Sequence, residues 1–71
     1  MSSELDHLIK MINQIANNIA IGESDEVASE KVADHVRRFW AKSMKQQIIR
    51  YAEDDGVELE PAAIAAVRLL N

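Results

Sequence analysis

From the start of the chain to Ala20, apolar residues fall at Leu5, Leu8, Ile9, Met11, Ile12, Ile15, Ala16, Ile19 and Ala20, a spacing that a helix satisfies and a strand does not. Wound at about 100° per residue, they fill roughly half of the helix circumference, wider than the stripe of a simple surface helix. Asp6, His7, Lys10, Asn13, Gln14, Asn17 and Asn18 take the other half. Ser3 with Asp6 can cap the start and Gly22 supplies a left-handed stop, which gives a first helix over about residues 4–21.

A second helix, over about 25–41, follows Ser24 as N-cap, with Asp25 and Glu26 placed in its first turn where the helix dipole favours negative charge. Val32, Ala33, Val36, Phe39 and Trp40 share one arc of about 120°, and Arg37 and Arg38 project beyond its two edges. Phe39 is expected mainly inside, with Trp40 and Arg37 nearer the boundary. Ser43 followed by Gln46 reads as a capping box for a third helix over about 44–54, whose Met44, Ile48, Tyr51 and Ala52 share a face. Gly56 is its natural terminator, "VELEP" extends the chain, and Pro61 can open a last short helix over about 61–70. That helix, "PAAIAAVRLLN", is apolar on every side except at Arg68. A helix that is apolar all round seeks burial all round, and a terminal segment of a small protein is not easily surrounded by its own chain. Contact with another chain is therefore expected there. The predicted fold is all-α: one domain over 1–71, a small bundle of three main helices plus a short C-terminal helix. Its expected core is Leu5, Leu8, Ile12, Ile15, Ile19, Val32, Val36, Phe39, Ile48 and Tyr51.

Composition narrows the chemistry. With no cysteine in 71 residues, disulfides, thiolate nucleophiles, iron–sulfur ligation and cysteine-based zinc sites are excluded. No apolar run approaches the roughly 20 residues of a membrane span, and "MSSELDHLIK" lacks a signal-peptide layout, so a soluble cytoplasmic chain is expected. A domain of this size buries only about 60% of the surface its unfolded chain exposes, so a partner would help it. His7 and His35 have no helical neighbour that would make a metal pair, and no glycine-rich phosphate loop is present. Four short helices also leave little room for a cleft of about 300 Å³ or more. The chain reads as no enzyme by itself, with no catalytic, cofactor-binding or metal-ligating residue of its own.

Charge placement says more than the net charge of −4. All 12 acidic residues lie outside 35–52, whereas Arg37, Arg38, Lys42, Lys45 and Arg50 lie inside. Two helices joined by a tight turn with basic residues on both sides suggest a helix-turn-helix, so a small regulatory DNA binder is one reading. The acidic total argues against it, because phosphate attraction from five cations competes with 12 anions. The favoured reading is docking on an acidic partner surface, since Arg, Trp, Tyr and Met are enriched at interface hot spots. The residues expected to dock are Arg37, Arg38, Trp40, Lys42, Met44 and Lys45, with Ile64, Val67 and Arg68 of the last helix. A self-contained homodimer that buries "AAIAAVRLL" against its own copy is a third reading.

"ADHVRRFW" followed by Met44-Lys45, with "MINQIA" upstream and "GVELEP" downstream, resembles the small delta subunit of soluble NAD-dependent formate dehydrogenases. The likeness runs from about Leu8 to Leu70 and is densest between Ala33 and Met44. It implies a non-catalytic accessory subunit of a cytoplasmic complex, supporting assembly, stability or maturation of the cofactor-bearing subunits. In that family a catalytic alpha subunit oxidises formate at a pterin-bound molybdenum or tungsten, and beta and gamma subunits carry FMN and iron–sulfur clusters to reduce NAD. The resemblance implies no cofactor in the delta-like chain itself. The likeness breaks where an Asp-Pro turn often follows the tryptophan and this chain has Ala41-Lys42. It breaks again where aromatic residues tend to follow "NQIA" and this chain has Asn17-Asn18.

Overall fold

A computed structural model of the chain describes residues 3–19 and 21–70. The first helix, α1 (Glu4–Ile19), opens on a reciprocal capping box. The Asp6 N–H donates to Ser3 Oγ at 3.2 Å, and the Ser3 N–H donates to Asp6 Oδ2 at 3.3 Å. Helix α2 (Asp25–Phe39) starts from Ser24, whose Oγ accepts the Val27 N–H at 3.3 Å. Asp25 and Glu26 sit at its positive end and Arg37 and Arg38 at its negative end, so both termini complement the dipole. Helix α3 (Lys42–Asp54) is followed by Gly56 at φ +65°, where an added Cβ would approach the Ala52 carbonyl oxygen to 3.3 Å. Helix α4 (Pro61–Leu69) has its proline in the first turn, where the missing N–H removes no helical hydrogen bond.

The packing centres on α4. It lies most extensively against α2 and also touches α1 and α3. Alanines make this possible: Ala63 and Ala66 of α4, and Ala28 and Ala33 of α2, are all buried, together with Val32, Val36 and Val67. Leu8, Ile9, Ile12 and Ala16 of α1, Ile48 of α3 and Leu59 of the preceding loop complete the core. Leu5, Ile15 and Tyr51 are half-buried against it.

The loop into α4 is fixed by side chains rather than by secondary structure. Asn13 of α1 donates from Nδ2 to the Glu58 carbonyl oxygen at 2.8 Å, and its Oδ1 accepts the Glu60 N–H at 2.9 Å. Asn17 adds a bond from Nδ2 to Glu60 Oε2 at 3.0 Å, and the Tyr51 hydroxyl accepts the Glu58 N–H at 3.1 Å. At the other end of α4, Arg37 donates from Nη2 to the Leu69 carbonyl oxygen at 2.7 Å, which satisfies a helix-terminal acceptor. The start of α4 is thus held to the second half of α1, and its end to the last turn of α2.

Several sequence expectations are corrected. The second helix stops at Phe39 rather than near Ala41, because Trp40 and Ala41 both adopt extended backbone (ψ 139° and 156°) and turn the chain. The third helix resumes at once at Lys42, two residues before expected, so Ser43 does not cap it; the N-cap is Ala41, which makes no side-chain bond. The expected end of the first helix runs through Ala20, which lies outside the described residues. Ile19 and Phe39, both expected in the core, are 40% and 71% exposed. Each occupies the last position of its helix, where the side chain is exposed although its angle around the axis matches that of buried residues one or two turns earlier. Trp40, expected at the boundary, is 5% exposed, because the extended turn directs the indole back into the bundle. The last helix, expected to contact another chain, buries Ala63, Ala66 and Val67 in its own bundle, while Ile64 is half-buried and Arg68 and Leu69 are exposed.

Two predictions follow from these local arrangements. Asn13→Ala removes both amide bonds and leaves the part-buried Glu60 N–H without its partner, so the urea midpoint should fall by the equivalent of about 1–3 kcal/mol; an unchanged midpoint would show that the loop does not depend on Asn13. Ala41→Asp supplies the missing cap of α3 and should raise stability by about 1 kcal/mol, seen as a thermal midpoint higher by roughly 4–8 °C.

Candidate functional site

The residues expected to dock divide into those the fold uses and those it leaves free. Trp40 and Val67 are buried, and neither presents a surface to a partner. Ile64, Met44 and Lys45 are half-buried. Arg37 is exposed but occupied, its guanidinium bonded to the end of α4. Arg38, Lys42 and Arg68 are exposed. Arg38 Nε lies 3.2 Å from Asp34 Oδ2, one turn earlier, with the two side chains 70% and 57% exposed, so water competes strongly with this pair.

The free residues gather at one end of the molecule. The bond from Arg37 brings the last turn of α4, with Arg68 and Leu69, to the last turn of α2, and the two-residue turn at Trp40-Ala41 places Lys42 beside that same turn. At this end stands the feature the sequence reading assigned elsewhere: the exposed ring of Phe39. Its centroid is 4.8 Å from that of half-buried His35, with the rings inclined at 46°, a tilted aromatic contact one helical turn apart. His35 and Phe39 form an apolar ridge flanked by Arg38 and Lys42, and no acidic residue occurs between His35 and Ala52. No feature of the sequence separates Phe39 from Trp40 on this arc, because neither glycine nor an N-capping residue type marks the turn.

A groove of about 680 Å³, larger than the sequence led us to expect, runs between Leu5 at the start of α1 and α3, where Ser43, Gln46, Gln47, Arg50, Tyr51 and Asp54 line it. It lies on the surface between helices rather than inside the bundle, and Ser43, Gln46, Arg50 and Asp54 along it are exposed. Gln47 spans to α1, donating from Nε2 to Glu4 Oε1 at 2.8 Å. His7 is exposed on α1. Among the described residues, no three His, Cys, Asp or Glu side chains come together as a metal site, and no helix is long and apolar enough to cross a membrane.

The helix-turn-helix reading also meets the geometry. Although only two residues join them, α2 and α3 scarcely touch each other, and each packs instead on α1 and α4. A recognition helix is held in place by its packing on the preceding helix, and that brace is slight here. Of the "AAIAAVRLL" face that the homodimer reading uses, Ala63, Ala66 and Val67 are buried, whereas Arg68 and Leu69 are exposed.

Exposure makes the roles of the adjacent rings separable. Phe39→Ala should leave stability within about 0.5 kcal/mol, whereas Trp40→Ala should cost about 3–5 kcal/mol, a difference that paired denaturant melts resolve. Equal losses would place both rings in the core.

A family profile described as NADH-dependent formate dehydrogenase delta subunit FdsD matches residues 7–67. No curated protein and no solved structure matches the chain.

Proposed function

The chain belongs to the NADH-dependent formate dehydrogenase delta subunit FdsD family, and from that premise we propose that it is a non-catalytic accessory subunit of a cytoplasmic NAD-dependent formate dehydrogenase. It supports assembly, stability or maturation of the cofactor-bearing alpha, beta and gamma subunits by docking on them. The observation that carries this reading is the extent of the match, which takes in all of α2 and α3 and most of α1 and α4.

The residues agree with a supporting role. The pterin-bound metal, FMN, iron–sulfur clusters and NAD belong, on this reading, to the other subunits: the chain has no cysteine to hold a cluster. The segments that carry the family likeness are largely spent on the fold. Asn13 of "MINQIA" grips the backbone of "GVELEP", and Ala33, Val36, Arg37 and Trp40 of "ADHVRRFW" build the core and hold α4. A small domain whose shape is so fully specified, and whose largest free apolar side chain stands among cations, suits a docking module better than a catalyst.

The test is to produce the enzyme with and without this chain. Purification through a tag on the chain should recover the alpha subunit under native conditions. Omitting the chain should lower the yield of assembled enzyme while leaving formate-dependent NAD reduction per loaded metal centre unchanged. Failure to recover the alpha subunit would remove the reading, and a fall in turnover per centre at full assembly would argue for a direct part in catalysis.

A further inference from the structure

Phe39 is what remains when the fold has taken its share of the aromatic residues. It lies on the same arc of α2 as buried Val32 and Val36, yet at the last position of the helix it is 71% exposed. Of the other two large rings, Trp40 is buried and Tyr51 is half-buried and hydrogen-bonded to the α4 loop. Its exposed cationic neighbours are not tied up by strong bonds: Arg38 has only the solvated pair with Asp34, which a carboxylate from elsewhere can replace, and Lys42 is exposed at the start of α3.

We propose that the Phe39–His35 ridge enters an apolar pocket on a cofactor-bearing subunit of the complex, and that carboxylates on the rim of that pocket meet Arg38 and Lys42. This rests on the accessory-subunit reading above and adds the surface and the chemistry of its partner. A central aromatic ring with arginine beside it is the composition that dominates binding energy at interfaces, and Arg37, Arg38 and Lys42 outnumber Asp34, the acidic residue beside the ridge, which favours an acidic rim. A second copy of the chain offers a competing occupant, because exposed Ile21 and Val27 at the opposite end of α2 stand among Glu23, Asp25 and Glu26. Such a contact would join unlike ends, and a head-to-tail contact that does not close on itself grows into a filament. A pocket on a different subunit satisfies the same ridge once and stops.

The experiment uses the full chain, tagged and co-produced with the alpha, beta and gamma subunits, followed by binding measurements on the purified partners. Phe39→Ala should weaken association by about 30-fold or more, the scale of an interface hot spot. Arg38→Glu should weaken it further as a like charge meets the rim, and the wild-type affinity should fall as salt is raised. Ile21→Asp, at the opposite end, should bind as wild type does. Circular dichroism of each variant confirms that the helices are retained. If the wild type binds and Phe39→Ala binds equally well, the ridge is overturned while the accessory reading stands; if the wild type itself does not bind, the accessory reading falls and this proposal with it. An affinity indifferent to salt and to Arg38→Glu would overturn the acidic rim. Concentration-dependent growth of the isolated chain in light scattering, abolished by either Phe39→Ala or Ile21→Asp, would assign the ridge to a second copy instead.

Discussion

A helix of nine residues does not hold itself together in water, and α4 depends on its packing against three longer helices, α2 above all. The rest of the structure is arranged around that requirement. The buried alanines of α2 and α4 let the two backbones approach closely, which a larger side chain at Ala33, Ala63 or Ala66 would prevent. The start of α4 is positioned by an amide on α1 and a phenol on α3, and its end by a guanidinium on α2. Each of the other helices therefore contributes at least one polar side chain to fixing the same short element, and α1 contributes two, Asn13 and Asn17. Since α2 and α3 scarcely touch each other, each is held by its own packing on α1 and α4.

This arrangement gives a physical meaning to the three family-like segments. Two of them, far apart in sequence, are halves of one contact, because Asn13 lies in "MINQIA" and the backbone it grips lies in "GVELEP". The third supplies buried Ala33, Val36 and Trp40, and Arg37, which ends α4. Structural demand accounts for most of these residues. It does not account for an exposed phenylalanine packed on a histidine and edged by cations, and that remainder is where partner recognition is best sought.

Much of the fold is legible in the sequence for reasons that can be located. Apolar spacing gives four helices because 3.6-residue periodicity fixes direction around an axis, and Ser3, Ser24, Gly22, Gly56 and Pro61 punctuate it through backbone groups that need a partner or a left-handed turn. Periodicity says nothing about how far along the axis a neighbouring helix reaches. Ile19 and Phe39 both point along the inward arc from the last position of a helix, and both emerge into solvent. The turn at Trp40-Ala41 is silent in the sequence, since it contains no glycine, proline or capping side chain, and so the two adjacent rings exchange places relative to expectation. Asn13 is equally silent: on the polar half of an amphipathic helix, an asparagine that holds a distant loop reads the same as one that faces water.

The extended turn after α2 leaves the only tryptophan inside the bundle, immediately behind the exposed ring that precedes it in the chain. An indole shielded from water emits at shorter wavelength than a solvated one, so the molecule carries a built-in optical reporter at its most consequential junction. Because there is no second tryptophan to blur the signal, a change in its emission reports on one place only, the turn where α2 hands over to α3. A ligand seated on the neighbouring ring would register there without any label.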